Sequence, residues 1–575
     1  MLNRDTVSSE QLGHLGLVAA TIRELGIIER IDARLELNEK KGGVVSYGRR
    51  VAAMVINGLG FMNSRLYMTP HFFQDKPVAQ LLGSELDAAH LNDDSLGRCL
   101  DKIAEYGVTR LYSELAFEIA REKNLLSQRL HLDSTSFVLY GRYDTEEAAP
   151  GIAQPDYGYS KANRSDLKQV MLSLVQGGAA NIPLWMEALD GNSSDKTSFQ
   201  ETVRRVQAFT QSIHGMPDGL CFVVDAAFYV PEQLASLNNV FWITRVPAQL
   251  NEAKVLLNKP CDALTWEPFD ANYRGSVHET VLYGIPQRWV LIESQQARLR
   301  ELKTFQRHLD KKSQELIKSL WHLGHQVFQC PDDAKQALKP LIKSLKYHQI
   351  HYEILPVERH TGKGRPKPGA QKMVIGYQIQ ACLSTCLERV GAKKETLGRF
   401  ILASNQCDSS LLNNHAMLQQ YKEQSCVESS FKFMKNNAFE LDSFFLKTPE
   451  RITALMMVMT LCLMVYNFAQ AHIRQCLKEH DEALPNQLGK PVQNPTMKWI
   501  AELMNVIAVV TILTNDQKHR VVTNLKPVHQ QIISYFGQYA LEIYGLAAES
   551  ARGTGFSCLA IEQNNYKNRL SWCET

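Results

Sequence analysis

The sequence predicts an α/β protein: a mixed sheet holding an inserted α+β subdomain, with an all-α region ahead of it and helices behind it. Three observations predict this. Residues 1 to 125 carry apolar positions at helical spacing. Residues 126–247 switch to alternating or continuous apolar runs rich in β-formers, split by helical stretches. Long charged helical patterns and further strands, residues 248–395, then precede one last strand and a series of helices.

A chain of 575 residues suggests about three to four domains. The expected units are 1–125, 126–247, 248–395, 396–475 and 476–575. A formal net charge of +3 is too small to mark a nucleic-acid binder, so any DNA affinity must come from local patches. None of the 12 cysteines shows zinc-finger spacing; Cys382 and Cys386 are four apart, with no second pair or His at ligand spacing. Reduced thiols are expected. The N-terminus, MLNRDTVSSEQLGHLGL, has no continuous apolar core, so no secretory signal is expected and the cytoplasm is the expected compartment. The most apolar run, Ala454 to Phe468, is uncharged. It is shorter than the roughly 20 residues that span a bilayer, so a buried core helix and no membrane are expected.

Taken in order, Leu12 to Ile31, Ser46 to Leu59 and Asp94 to Ala120 read as helices, the last parted near Tyr106 to Thr109. Short helices joined by tight turns suit a helix-turn-helix DNA reader. Arg49 and Arg50, with Arg65, Lys76 and Arg98, are then candidate phosphate contacts. A plain helical bundle with solvated cations fits equally well.

Gln128 to Tyr140, Lys168 to Val175 and Pro183 to Leu189 read as three strands. A helix, Asp195 to Ile213, and a continuous apolar strand, Leu220 to Asp225, follow; the latter suits a sheet centre. A short helix from Val230 leads to the strand Val240 to Val246. Three strands can pair as an antiparallel meander, and the later two can join by crossovers. That is the arrangement of a ribonuclease-H-like sheet. Its first and fourth strands are neighbours, so Asp133 and Asp225 can converge.

The insertion holds strand-like pieces in 272–292, helices at Gln295 to Leu323 and Ala334 to Leu345, and strands at His351 to Pro356 and Met373 to Gln380. The last two flank a basic loop, HTGKGRPKPGAQK. Lys363 and Arg365 there suit a DNA minor groove, and equally a solvated hairpin tip. Arg399 to Ser404 returns as a strand, and Tyr421 to Lys435 reads as one helix. The apolar helix 452–472 and two or three amphipathic helices in 494–549 complete the chain.

In YKEQSCVESSFKFMK, Tyr421, Glu428 and Lys435 sit seven residues apart, nearly two turns, so they share one face with Gln424. An amphipathic helix with one core Tyr and solvated charges has the same pattern. Asp133, Asp225 and Glu428 are three carboxylates on separate elements, and they repel unless cations neutralise them. Oxygen-only ligands suit Mg²⁺ or Mn²⁺, and two such ions serve phosphoryl transfer. Lys435 and Tyr421 would hold a phosphate backbone in line. Ser134 and Thr135 lack the glycine elbow of a nucleophile. Trp242 and Trp289 are candidates for stacking on a flipped base, or core residues.

These segments carry a resemblance. LHLDSTSF around Asp133 and CFVVDAAFY around Asp225 resemble the first two motifs of bacterial insertion-sequence transposases of the DDE type, with a ribonuclease-H-like core. The third motif of one large group runs Tyr, two residues, Arg, three residues, Glu, six residues, Lys; Tyr421, Gln424, Glu428 and Lys435 fit that spacing. GYSKANRSDLKQV and LDGNSSDKTSF also resemble family segments, and the N-terminal region resembles a helical domain found ahead of the core. The likeness covers roughly residues 10 to 540. It implies metal-dependent cleavage and joining of DNA at terminal inverted repeats, Asp133, Asp225 and Glu428 holding two ions, and at least a dimer on DNA. One position departs: Gln424 stands where the family has Arg, an uncharged contact in place of a charged one. Lys422 or Lys432 would supply a compensating charge. A two-metal nuclease without strand joining, or an inactive DNA-binding remnant, are the alternative expectations.

Overall fold

The computed structural model describes residues 7–37, 45–61, 68–83, 86–141, 143, 148–159, 164–178, 180–193, 195–212, 219–235, 237, 240–361, 371–435, 446–514 and 517–546. They form two compact bodies: Met1–Thr244 with Gln419–Thr575, and Arg245–Leu418.

The first body opens with a strand, β1 (Val7–Gln11). The helices α1 (Leu15–Glu24), α2 (Ile27–Asp32), α3 (Tyr47–Gly58), α4 (Thr69–Phe73), α5 (Val78–Leu82), α6 (Asp93–Tyr106) and α7 (Val108–Glu122) follow. Then come β2 (Arg129–Val138), β3 (Gln169–Gly177), β4 (Ile182–Leu189), α8 (Asp195–Gln211), β5 (Cys221–Val224), α9 (Pro231–Ala235) and β6 (Phe241–Arg245). β2 pairs antiparallel with β3, and β3 with β4. β2 pairs parallel with β5, and β5 with β6. The spatial order is therefore β4-β3-β2-β5-β6, a meander extended by two crossover strands.

The second body holds α10 (Asn251–Leu257), β7 (Glu267–Asp270), β8 (Tyr273–Leu282), β9 (Ile285–Ser294), α11 (Gln295–Gly324), α12 (Pro331–Lys343), β10 (His348–His360), β11 (Lys372–Thr385), α13 (Leu387–Glu395) and β12 (Arg399–Ser404). Tyr283 (φ 56°) and Gly284 (φ 76°) form the two-residue turn joining β8 and β9. Positive φ at both central residues matches the twist that a tight hairpin needs. β12 runs antiparallel to β9. Leu320, Ala334, Leu338 and Ile379 form a small core between α11, α12 and the β10–β11 hairpin.

α14 (Asn414–Glu423) leads to α15 (Ser425–Met434) and α16 (Pro449–Glu479). A two-residue ladder, β13 (Leu484–Pro485) with β14 (Pro491–Val492), α17 (Met497–Met504), β15 (Ala508–Thr514), β16 (Gln517–Thr523), α18 (Pro527–Tyr535) and α19 (Gly537–Ile543) finish the described chain. α16 is the hub of the first body. It is 31 residues long, and 83% of its most apolar 18-residue window is buried. It packs against α1, α3, α6 and α7, and against β4. A helix covered on all sides has no need of a polar face, which explains the run ALMMVMTLCLMVYNF. Thr448 caps it through the Arg451 N–H, and Pro449 fills its first turn. Length and composition alone would let it cross a membrane; its burial makes it a core helix.

Three expectations are corrected. The N-terminal region is not all-α, and the last region is not all helices: β1 pairs antiparallel with β15, and β15 with β16. β15 alternates Val509 and Thr511 inward with half-buried neighbours, a period of two that marks a strand and not a helix. β1 finds its partner some 500 residues away, which no local pattern announces. The helices of the N-terminal region also belong to the body that holds the β2–β6 strands: α7 packs on β4, and Tyr112 Oη donates to the Pro183 carbonyl at 2.7 Å. Finally, Tyr421 to Lys435 is not one helix. It breaks at Gln424, whose N–H donates three residues back to Tyr421 and whose carbonyl takes the N–H of Val427 three residues on. Such tightened bonds mark a local 3₁₀ step.

Candidate active site

β2 and β5 position the two aspartates. The parallel register pairs Arg129 with Cys221, Leu130 with Phe222 and His131 with Val223. Carried two residues further, it sets Asp133 level with Asp225. Residues level on neighbouring parallel strands point to the same face, across a strand spacing of about 4.8 Å. Asp133 is half-buried within β2, whereas Asp225 is exposed just past the end of β5. Each aligns one oxygen on its own chain. Asp133 Oδ1 accepts the Ser134 N–H at 2.7 Å, and Asp225 Oδ1 accepts the Ala226 N–H at 2.6 Å, capping a 3₁₀ turn. On β6, the Thr244 hydroxyl donates to the Asp225 carbonyl at 3.0 Å.

The end of α14 and α15 run along β2, and three side-chain contacts fall on odd-numbered residues of that strand. The Gln420 amide oxygen, turned to Arg129, accepts from its Nε at 2.9 Å. His131 Nε2 lies 3.8 Å from Glu423 Oε2. Lys435 Nζ sits 5.4 Å from the centre of the Phe137 ring. In a strand, alternate residues share a face, so this is the face of Asp133. Ser430 adds a bond to Gln176 of β3, at 3.2 Å. Glu428, between these contacts, is exposed on α15. It lies seven residues before Lys435, on nearly the same helical face.

The structure thus sets Asp133 and Asp225 side by side, with Glu428 on a helix that packs along β2. It does not close the three into a cluster: among the described residues, no three of His, Cys, Asp and Glu lie close enough to hold a metal. The aspartate pair offers a donor set of carboxylate oxygens alone, which fits a hard divalent cation.

The other expected site residues fall in different places. Tyr421 is half-buried and Gln424 buried, whereas Lys432 and Lys435 are exposed on α15 and just after it. Arg49 is half-buried on α3. Arg50 is corrected from a phosphate contact to a structural residue: it is buried, its Nη1 donates to the Ser95 carbonyl at 3.3 Å, and it stacks on Tyr47. Trp242 and Trp289, 0% and 3% exposed, are core residues with no face open to a base. Trp242 lies on β6 edge-on to Tyr229. Lys363 and Arg365 lie outside the described residues.

Sequence reasoning missed His131 and Gln176. They are register partners on the aspartate face, one pair before Asp133, and both are buried. His131 Nδ1 and Gln176 Nε2 find no hydrogen-bond partner among the described residues. The available signal was a His two residues before Asp133 in an otherwise apolar run, and hence on its face.

The transposase DDE domain model matches residues 126–467, the span that includes β2, β5 and α15. The chain belongs to the DDE transposase family. A second model, a domain of unknown function (DUF4277), matches residues 7–117 of this transposase. No curated protein matches it. Among solved structures, a cryo-EM structure of the piggyBac transposase synaptic complex with hairpin DNA is 10% identical. That match covers 85% of this chain and 80% of that one, with a TM-score of 0.35. Transposases of the DDE type use divalent metal ions, in keeping with the all-oxygen donor set of the aspartate pair.

Proposed function

We propose that the chain is the transposase of an insertion sequence, which binds the terminal inverted repeats of its element and cleaves and joins DNA strands. The observation that carries this is the shared register of Asp133 and Asp225, on the face that α15 covers. The β4-β3-β2-β5-β6 order supports a ribonuclease-H-like core.

Asp133, Asp225 and Glu428 would hold two Mg²⁺ or Mn²⁺ ions. Bound there, the ions would activate the attacking oxygen and stabilise the leaving 3′-oxygen. Lys435, exposed one helical repeat beyond Glu428, holds the phosphate backbone in place, and positioning of this kind is most of what a protein adds to phosphoryl transfer. Gln424 is buried and uncharged, so any cationic contact on this helix falls to Lys432 and Lys435. Cleaving two element ends in concert needs two active sites, and hence a homodimer or higher assembly on double-stranded DNA.

The test is cleavage of a duplex carrying the element's own ends, with Mg²⁺ or Mn²⁺. The native chain nicks at the end and joins the freed 3′-hydroxyl to a second duplex. Asp133→Asn, Asp225→Asn and Glu428→Gln each lower this below detection while end binding survives. Binding without cleavage by the native chain, under both metals, would overturn the catalytic reading and leave a DNA-binding remnant. Nicking without joining would leave a nuclease.

A further inference from the structure

We infer that α11 of the second body is a phosphate-backbone rail for double-stranded DNA; the inference rests on the DNA transposase reading above. α11 is a 30-residue helix, Gln295–Gly324, with one narrow buried side. Leu302, Phe305, Leu309, Leu316, Leu320 and Leu323 turn towards the rest of the body. Two residues before each lies a position about 200° around the helix, facing directly away. Those positions are Arg300, Lys303, Arg307, Gln314, Lys318 and Trp321; Lys311 fills the same line, two residues before Ser313. Five of the seven are cations and none is an acid. All seven are exposed, Trp321 by 59%.

A solvated helix face usually mixes the two signs, because acid–base pairs three or four residues apart stabilise it. This line does the reverse. Lys303, Arg307 and Lys311 follow one another at intervals of four, where like charges repel. The three acids of α11 make other bonds. Glu301 accepts the Gly398 N–H at 2.8 Å, Asp310 accepts from Gln306 at 3.0 Å, and Glu315 pairs with Lys312 at 3.4 Å. Among the described residues, no ion pair reaches Arg300, Lys303, Arg307, Lys311 or Lys318. Asp310 borders this line, beside Arg307 and Lys311, so five cations face one carboxylate there, an excess of positive charge that a polyanion would relieve.

The dimensions fit that polyanion. Arg300 to Lys318 spans eighteen steps of 1.5 Å, about 27 Å. Laid along the duplex axis, that length passes roughly eight base pairs at 3.4 Å each. Backbone contacts of this kind read no sequence; they position the protein on the duplex.

The experiment is a salt titration of the full chain on a duplex of arbitrary sequence, about 30 base pairs long, read by fluorescence anisotropy. The variant Lys303→Gln/Arg307→Gln/Lys311→Gln removes three rail cations at exposed positions. Its plot of log affinity against log salt is less steep than the native one by about 2.7, three contacts at 0.9 each. A charge-matched control, Lys312→Gln/Lys335→Gln/Lys372→Gln, removes lysines of the same body that are paired with Glu315, Asp332 and Glu358. Its slope stays near native. Native slope in the rail variant, or an equal fall in both variants, would overturn the rail while leaving the transposase reading intact. A native chain that binds no duplex at any salt would overturn both.

Discussion

The two bodies use their sequence differently. In the first, β3 is buried along its whole length, β4 is buried at all but its last residue, and α16 is buried on nearly every side. In the second, β10 and β11 are mostly exposed, and only Leu309, Leu316 and Leu320 of α11 are buried. The first body has the thick apolar core needed to fix a strand register, and so to hold two carboxylates level on a sheet. The second buries β9 and β12, but it holds α11, α12 and the β10–β11 hairpin with a small core and leaves their long faces to charge. Fixed carboxylates require the former, because burial of both faces makes a one-residue slip prohibitive. A surface for a polyanion requires only the latter.

The comparison can be broken first at its tryptophans. Trp242→Ala opens a cavity in the first body and costs about 3–5 kcal/mol. Trp321→Ala, on the exposed face of α11, stays within about 0.5 kcal/mol. Urea unfolding followed by circular dichroism measures both, and equal losses would erase the distinction.

Acid sharpens it next. His14 Nε2 donates to the Leu59 carbonyl, 2.8 Å away, and His472 Nε2 to the Tyr535 carbonyl, 2.7 Å away. Burial holds both imidazoles down at about 4. Above the ordinary value near 6.5, both are neutral folded and unfolded, and their stability contribution is fully present. As pH falls from there towards 4, the unfolded chain takes up protons that the folded chain refuses, and stability is lost. At pH 5 the loss is about 2 kcal/mol for each histidine. Denaturation midpoints of the native chain and of His472→Gln, compared at about pH 7.5 and 5, check it: the variant loses its share of the pH dependence.

The smallest effect expected is at the surface of the first body. Arg451, in the first turn of α16, grips Asp101 of α6 through Nε at 2.7 Å and Nη2 at 2.8 Å. Both side chains are more than a third exposed, so a double-mutant cycle with Arg451→Lys and Asp101→Asn yields about 1 kcal/mol or less. A coupling of several kcal/mol would mean that surface pairs, rather than the core around α16, hold this body together.

The sequence by itself determined the elements. Alternation and continuous apolar runs placed β2 to β6 within a few residues, and the charged periodicity of α11 gave its ends almost to the residue, because these signals are written in neighbours a turn or a pleat apart. It also placed Asp133 and Asp225 on strands that a meander with crossovers would bring together, and Glu428 and Lys435 on one helical face. Tertiary structure alone decided the rest. The level register of Asp133 and Asp225 depends on a partner strand 92 residues away. The joining of β1 to β15 spans nearly the whole chain. Arg50, Trp242 and Trp289 are removed from solvent by elements remote in sequence, and burial cannot be read from a residue's own surroundings in the chain. The break at Gln424 has the same origin. Nothing in YKEQSCVESSFKFMK interrupts a helix, but the segment must lie along β2, with Gln420 at Arg129 and Lys435 at Phe137, and the backbone tightens by one bond where it does so.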